Sequence, residues 1–156
     1  MENNKEITVA ENNNADIEVA QSFGEVASGQ VKTTVDMSTE DGQDTVYDAI
    51  TDAEPLNEHL EEPIALKDIV FQGVELTTEQ GEIVTVARTI LIDDKGKSFA
   101  TVSETVIRDL HNLIDIKGAP SKWTHPQVVE FKEVRGKKGN RFYKMSRVRN
   151  AKKAAK

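Results

Sequence analysis

The chain contains no cysteine, and only eight of its 156 residues are aromatic. Without cysteine it forms no disulfide, thiolate nucleophile or cysteine-ligated zinc site. No stretch approaches the roughly 18 consecutive apolar residues of a membrane-spanning helix. The N-terminus lacks the basic and apolar regions of a signal peptide. We therefore expect a soluble, intracellular protein that acts in the cytoplasm and does not bind membranes.

Catalytic signatures are also missing. The sequence has no glycine-rich phosphate loop, no GxSxG elbow and no HExxH pair. Asp93 and Asp94 resemble metal-binding carboxylates, but two aspartates before Lys-Gly are typical of a hairpin turn. The sequence predicts a protein that is not an enzyme and that requires neither a cofactor nor a metal.

Charge divides the chain into two unlike parts. Residues 1–62 hold 16 acids and two bases, whereas residues 63–156 hold 11 acids and 18 bases. Apolar residues in the first part are too thinly spaced to bury much surface. We predict that residues 1–62 are an acidic, mostly disordered arm with at most a transient helical turn at 45–60. The arm is either a solubilising tail or a mimic of nucleic acid that folds back on the basic domain or recruits a basic partner.

From Pro63 onward the pattern is that of a small β domain. Runs of β-branched residues predict strands over 64–76, 82–92, 98–103, 128–135 and 141–149, and Gly73 predicts a bulge or bend in the first. Between the third and fourth strands the period changes to 3.6, which predicts one helix over 103–118. The expected fold is mainly β with one helix: an OB-like five-stranded barrel over 63–149, preceded by the disordered arm and followed by a basic tail, 150–156.

The C-terminal hairpin carries the candidate binding residues. Between residues 122 and 156 there are twelve Lys and Arg against Glu130 and Glu133. Alternation along the last strand places cations, an aromatic ring and a methionine on one face, as phosphates and unpaired bases require. The predicted nucleic-acid-binding residues are Arg88, Trp123, Arg135, Lys137, Lys138, Arg141, Tyr143, Lys144, Arg147 and Arg149.

Plainer interpretations stay open at this point. The hairpin lysines are also typical of an edge that resists aggregation, with Tyr143 and Met145 in the core. Trp123 either stacks on a base or closes the end of the core.

Three segments resemble the single-stranded DNA-binding proteins of phages, like those of protein-primed replication. These segments are DDKGKSFATVS, SETVIRDLHNLIDI and KKGNRFYKM. The resemblance implies an OB-like domain that binds single strands without sequence preference. By position, the strand after the family's first turn is matched by Ser98 and Phe99, and its final hairpin is matched by Lys138, Gly139, Asn140, Phe142 and Tyr143. The resemblance further implies a protein of the host-cell cytoplasm. The long acidic N-terminal arm departs from the pattern; if the arm recruits partners, the resemblance implies that they are replication proteins.

The leading hypothesis is a non-sequence-specific protein that coats and protects displaced single-stranded DNA in phage replication or recombination. One alternative is a phage structural or scaffold protein whose hairpin neutralises charge. Another is an RNA-binding OB module. The sequence leaves the oligomeric state open, with a homo-oligomer among the alternatives.

Overall fold

A computed structural model describes residues 26–148 of the chain. Over this range it forms seven strands and two α-helices, joined in places by short 3-10 turns at Leu56–Glu58 and Pro120–Lys122. In chain order the elements are β1 (Val31–Thr33), α1 (Glu40–Asp52), β2 (Glu54–Pro55), β3 (Ile64–Thr77), β4 (Ile83–Asp93), β5 (Ser98–Thr101), α2 (Glu104–Lys117), β6 (Gln127–Arg135) and β7 (Arg141–Arg147). Neither helix in residues 26–148 has the length and apolar character needed to cross a membrane.

The strands form one curled sheet in the order β2-β5-β4-β3-β6-β7, with β1 pairing on the free side of β3. In the described residues β5 and β7 have no ladder between them, so the curled sheet is a half-barrel and not a closed barrel. This arrangement is compatible with an OB-type fold. The predicted strands and the helix after β5 are confirmed. The prediction of five strands and one helix is wrong in number, because β1, β2 and α1 all come from the segment before Pro63.

Strands β3 and β4 are buried on both faces, which explains their uninterrupted apolar triplets 69–71 and 90–92. On one side, here called the inner face, Phe71 and Leu91 pack with residues of α2 such as Leu110. On the other side, the outer face, Ile90 and Ile92 pack beneath α1. Side chains on a strand alternate between faces, so a run without polar gaps needs a cover on each side.

Helix α1 supplies the outer cover. Its buried residues Gly42, Val46 and Ala49 follow helical spacing, and the hydroxyl of Thr39 caps the first turn by accepting from the Gly42 N–H at 3.0 Å. The acids of the helix lie on the exposed side. The predicted disordered arm is therefore not found over residues 31–62, because these residues pair with β3 and β5 and pack on the sheet. Residues 1–25 lie outside the described range.

Gly73 does not form the predicted bulge. The register between β3 and β4 runs without a break across it, and the irregularity of β3 lies between Leu66 and Asp68. Glycine is required for a different reason: a Cβ at position 73 would overlap the carbonyl oxygen of Ala27, where the chain crosses the inner face. The close approach fixes where the N-terminal segment enters the domain.

His59 fastens the segment before β3 to the sheet. Its Nε2 lies 2.6 Å from Glu54 Oε1, its Nδ1 lies 2.9 Å from Glu62 Oε1, and its ring meets the edge of Phe99 at 5.0 Å. Two carboxylate partners require both ring nitrogens to donate, which only the imidazolium does. The hydrogen bond to Glu62, opposed by desolvation and reinforced by the hydrogen bond to Glu54, raises the pKa of His59.

This arrangement predicts a pH-dependent stability. Because the pKa is raised on folding, the contribution of His59 is fully present below its unfolded pKa and is lost as pH rises through the folded value. We expect the thermal midpoint of the wild-type chain to fall more between pH 6 and pH 8 than that of His59→Gln. His125→Gln, which changes an exposed loop histidine, should follow the wild type. Equal pH dependence of the wild type and His59→Gln would show that the two carboxylates do not hold the proton.

Candidate nucleic-acid interface

The β6–β7 hairpin presents its cations on a tight turn. The N–H of Gly136 donates to the carbonyl of Asn140 at 2.6 Å, and the N–H of Gly139 donates to the carbonyl of Gly136 at 3.0 Å. Gly139 has a φ of 88°, which a residue with a side chain rarely adopts. This geometry leaves Lys137 and Lys138 exposed at the tip.

Two pairs of like charges face each other across the hairpin. Lys132 is the register partner of Lys144, and Arg135 is the partner of Arg141. All four side chains are exposed. Side chains directly opposite in an antiparallel pair are close neighbours, so like charges there are unfavourable unless an anion lies between them. The first pair points to the outer face and the second to the inner face, because their positions differ in strand parity.

Two acids of the described hairpin lie near these pairs: Glu130, opposite Ser146, is next to the lysine pair on the outer face, and Glu133 is near the arginine pair. Arg141 Nη1 lies 3.9 Å from Glu133 Oε1, and both side chains are largely in solvent. An exposed pair at this distance contributes little and is easily exchanged. The hairpin therefore retains a strong positive potential that suits a polyanion.

Helix α2 holds the far edge of β7. The hydroxyl of Thr105 donates to the carbonyl of Tyr143 at 2.7 Å, and the N–H of Met145 donates to Asp109 Oδ2 at 3.0 Å. These side chains satisfy backbone groups that a closed barrel would pair with β5. Tyr143 and Met145 are half-buried against the core of the inner face. Tyr143 and Met145 therefore contribute to the core, which was the plainer interpretation of these residues. The backbone that α2 holds in place orients the basic side chains beside them.

A shallow cleft lies where the barrel would close, between the end of β5 and the start of β7. Its volume is about 490 Å³; residues 101–105 line one wall, and Glu133, Arg141, Phe142 and Tyr143 line the other. An aromatic side chain next to a guanidinium matches the needs of a stacked base and its phosphate. The cleft adjoins the cation pair of Arg135 and Arg141, so the charged and aromatic features are continuous.

The other predicted strand arginines differ from these. Arg147 is half-buried opposite Val129, and its Nε is buried with no hydrogen-bond partner among the described residues. Arg149 lies outside the described residues. A direct phosphate contact from either residue remains a prediction.

Arg88 is not brought to the hairpin. Its Nη1 donates to the carbonyl of Ile50 at 3.3 Å and to Gln72 Oε1 at 3.1 Å, beneath the end of α1. OB folds commonly bind nucleic acid on the face of their second and third strands, which are β4 and β5 here. In this chain α1 covers that outer face, and Ile90 beneath it is completely buried. A nucleic-acid interface is therefore favoured on the β6–β7 side.

Trp123 lies at the other end of β6 from the hairpin turn. Its indole N–H donates to the carbonyl of Gly118 at 2.8 Å, and its ring packs, half-buried, against the inner core. It borders a second shallow pocket with Lys67, Asp94 and His125. The structure thus places it as a closure of the core, separated from the aromatic cleft by most of the length of β6.

The aspartate pair forms a turn, as the sequence analysis predicted. Asp93 Oδ1 accepts from the N–H groups of Lys95 and Lys97, both at 2.8 Å. Within residues 26–148 no three His, Asp or Glu side chains come together in a way that suits a metal ion.

Sequence reasoning missed Lys132 as a candidate. The signal was present, because a turn centred on Lys138 pairs residue 132 with residue 144 and so predicts a second lysine beside Lys144. The letters GKKGN do not by themselves show which residue is at the centre of the turn. The pairing of residues 132 and 144 follows only once the hydrogen bonds of the turn are known.

The family described as phage single-stranded DNA-binding protein, of the phi29 type, has a model that matches residues 25–147. No curated protein and no solved structure gives a significant match. The match spans every strand and helix described above, including α1 and the basic hairpin. The chain therefore belongs to the phi29-type family of phage single-stranded DNA-binding proteins.

Proposed function

We propose that this protein binds single-stranded DNA without sequence preference along the β6–β7 hairpin, and that it coats and protects displaced strands in phage replication or recombination. The proposal is supported by family membership and, in the structure, by the two like-charge pairs on the hairpin. Phosphates placed between paired cations relieve their repulsion, and this contact reads no base identity. The proposed role is non-catalytic and belongs to the cytoplasm of the host cell.

The aromatic cleft accounts for the proposed preference for single strands. Phe142 and Tyr143 lie beside Arg141 in an open groove. A base that is already unpaired stacks on such a ring for about 1–3 kcal/mol, whereas a base in a duplex must first be unstacked. Stacking depends on the π-face that every base has, so it favours single strands without selecting a sequence.

The test is a binding titration of the full chain with labelled oligothymidine, followed by fluorescence anisotropy at several salt concentrations. We expect binding at least about tenfold tighter than to a duplex of equal length, and a slope of log K against log salt between about −2 and −4, for three to six phosphates on exposed hairpin cations. Oligodeoxyadenosine and oligodeoxycytidine should bind within a few-fold of oligothymidine.

Other outcomes point to the competing functions. Equal affinity for duplex and single strand would favour a structural protein that neutralises charge. Tighter binding to a matched oligouridine than to oligothymidine would favour an RNA-binding module, because discrimination then reflects the 2′-hydroxyl.

A further inference from the structure

Strand β4 has an open edge. It pairs with β3 along its whole length from Ile83 to Asp93, but with β5 only from Thr89 to Ile92. Within residues 26–148, the run 83–88 therefore has a ladder on one side only. Ile83 and Val84 are 68% and 36% exposed, which is high for aliphatic side chains in a strand.

The direction of the backbone groups along this run follows from its two ends. The carbonyl of Glu82 accepts from Thr78, on the β3 side, and the N–H of Asp93 donates to Lys97, on the β5 side. Backbone groups alternate in direction along an antiparallel strand. Consequently the N–H and C=O groups of Ile83, Thr85 and Ala87 point to the open side.

The open edge lacks the usual protection. Natural sheets blunt their edges with lysine, proline, bulges or covering side chains. Strand β7 is covered in this way by Thr105 and Asp109 of α2. Residues 83–87, Ile-Val-Thr-Val-Ala, have no charge, proline or register shift. Their β-branched composition favours strand pairing.

We propose that this edge is the interface with a second copy of the chain, through antiparallel pairing of β4 with β4 about a twofold axis at Thr85. In this register Val84 lies opposite Val86 of the second copy, and Ile83 lies opposite its Ala87. The exposed side chains of Ile83 and Val84 are then covered by Ala87 and Val86 of the second copy. Glu82 lies opposite Arg88 of the second copy, so the one charged pair that the register creates is attractive.

The length and position of the edge suit this partner. The run is limited by the β3–β4 turn at one end and by β5 at the other, so a copy of the same run fills it completely. The turn of the second copy then approaches Val102, which is 45% exposed after β5. In the sheet order β3 and β6 separate β4 from β7, so pairing leaves both basic hairpins accessible. The inference is independent of the proposed function.

Cysteine cross-linking tests the register directly, because the natural chain has no cysteine. In Thr85→Cys the two thiols face each other across the twofold axis, where a hydrogen-bonded pair has a Cα–Cα distance of about 5.5 Å, within the range of a disulfide. Mild oxidation of the full chain should give a covalent dimer. Thr77→Cys, an exposed position on β3, is separated from its equivalent by about three strand spacings and should stay monomeric.

Sedimentation equilibrium provides the second test. The mass of the wild-type chain should rise toward twice the chain mass as its concentration approaches about 1 mM, the range of a weak interface. Thr85→Pro removes an N–H on the open side but leaves the ladder to β3 intact, so it should remain a monomer. Thr85→Val keeps the N–H and the shape and should dimerise. Circular dichroism checks the fold of each variant, and Val84→Lys replaces Thr85→Pro if the latter unfolds.

The proposal fails if the wild-type chain stays monomeric at the highest concentration, as it would if residues 1–25 of the same chain covered the edge. It also fails if the variant that blocks the edge dimerises as strongly as the wild type, because the interface would then lie elsewhere. Cross-linking of Thr77→Cys as efficient as that of Thr85→Cys would likewise show non-specific collision.

Discussion

Removing residues 1–60 is expected to unfold the domain, whereas removing residues 1–25 leaves it folded. The longer deletion takes away α1 and exposes the outer face of the sheet, where Val70 and Ile90 are completely buried and Ile92 is 3% exposed. It also removes Leu56 and His59, which pack against the inner core and Phe99. A boundary at Pro63, as the sequence suggested, would have led to the opposite expectation.

The size of the effect follows from the buried area. Each aliphatic side chain returned from the core to water costs about 1.5–3 kcal/mol, so the three on the outer face cost about 5–9 kcal/mol as an upper estimate. A domain of this size is stable by about 5–15 kcal/mol in total. The loss of α1 is therefore comparable with the whole stability, and the truncated chain should show little cooperative unfolding.

The measurement is circular dichroism with thermal melting on the two truncations beside the full chain. The shorter deletion removes six acids and one lysine, so it should also bind oligothymidine somewhat more tightly at low salt. Val46→Asp is the point-mutant counterpart of the longer deletion, because Val46 lies on the buried side of α1 and is 3% exposed. Asp48→Ala, on the exposed side of the same helix, is its control. A cooperative melt near the wild-type midpoint after removal of residues 1–60 would show that α1 is dispensable.

Helix α1 was not predicted, because the pattern within its own segment is weak. Helix α1 buries only Gly42, Val46 and Ala49 among many acids, so its apolar stripe is narrow and its own sequence indicates disorder. The stronger signal lay in its partner. The apolar triplets at 69–71 and 90–92 require a sheet covered on both faces, and one helix after β5 covers only one of them. Periodicity predicted β3 to β7 and α2 because each carries its own signal.

For the candidate site, the sequence predicted the location of the basic hairpin but not the face on which each of its residues lies. Composition located the basic hairpin, because charge excess is a property of the sequence itself. The faces of individual residues depend on register and on contacts with α2. Asp109, for example, holds Met145 from 36 residues away, and no local pattern predicts that bond. Arg88 was predicted to bind nucleic acid because charged strand residues usually face solvent, but its own segment gives no sign of the helix that covers it.

Neutralising the cation pairs is expected to produce the largest loss of binding. The double variants Lys132→Gln/Lys144→Gln and Arg135→Gln/Arg141→Gln each remove two facing charges, one pair on each face of the hairpin. Each should weaken oligothymidine binding about tenfold at low salt and reduce the slope of log K against log salt by about 1.4. The combined variant should lose most of the affinity, since only the tip lysines remain exposed on the hairpin turn.

The stability of these variants should not fall with their binding. Each double substitution removes a cross-strand repulsion, so the free energy of unfolding should stay constant or rise by about a few tenths of a kcal/mol, and the thermal midpoint should not fall. Loss of binding without loss of stability is what separates an interface from a structural hairpin. Lys67→Gln/Lys95→Gln is the matched control, because it changes the net charge equally at exposed positions away from the hairpin. If the control weakens binding as much as the hairpin variants, the effect is one of overall charge, and phosphates do not lie between the paired cations.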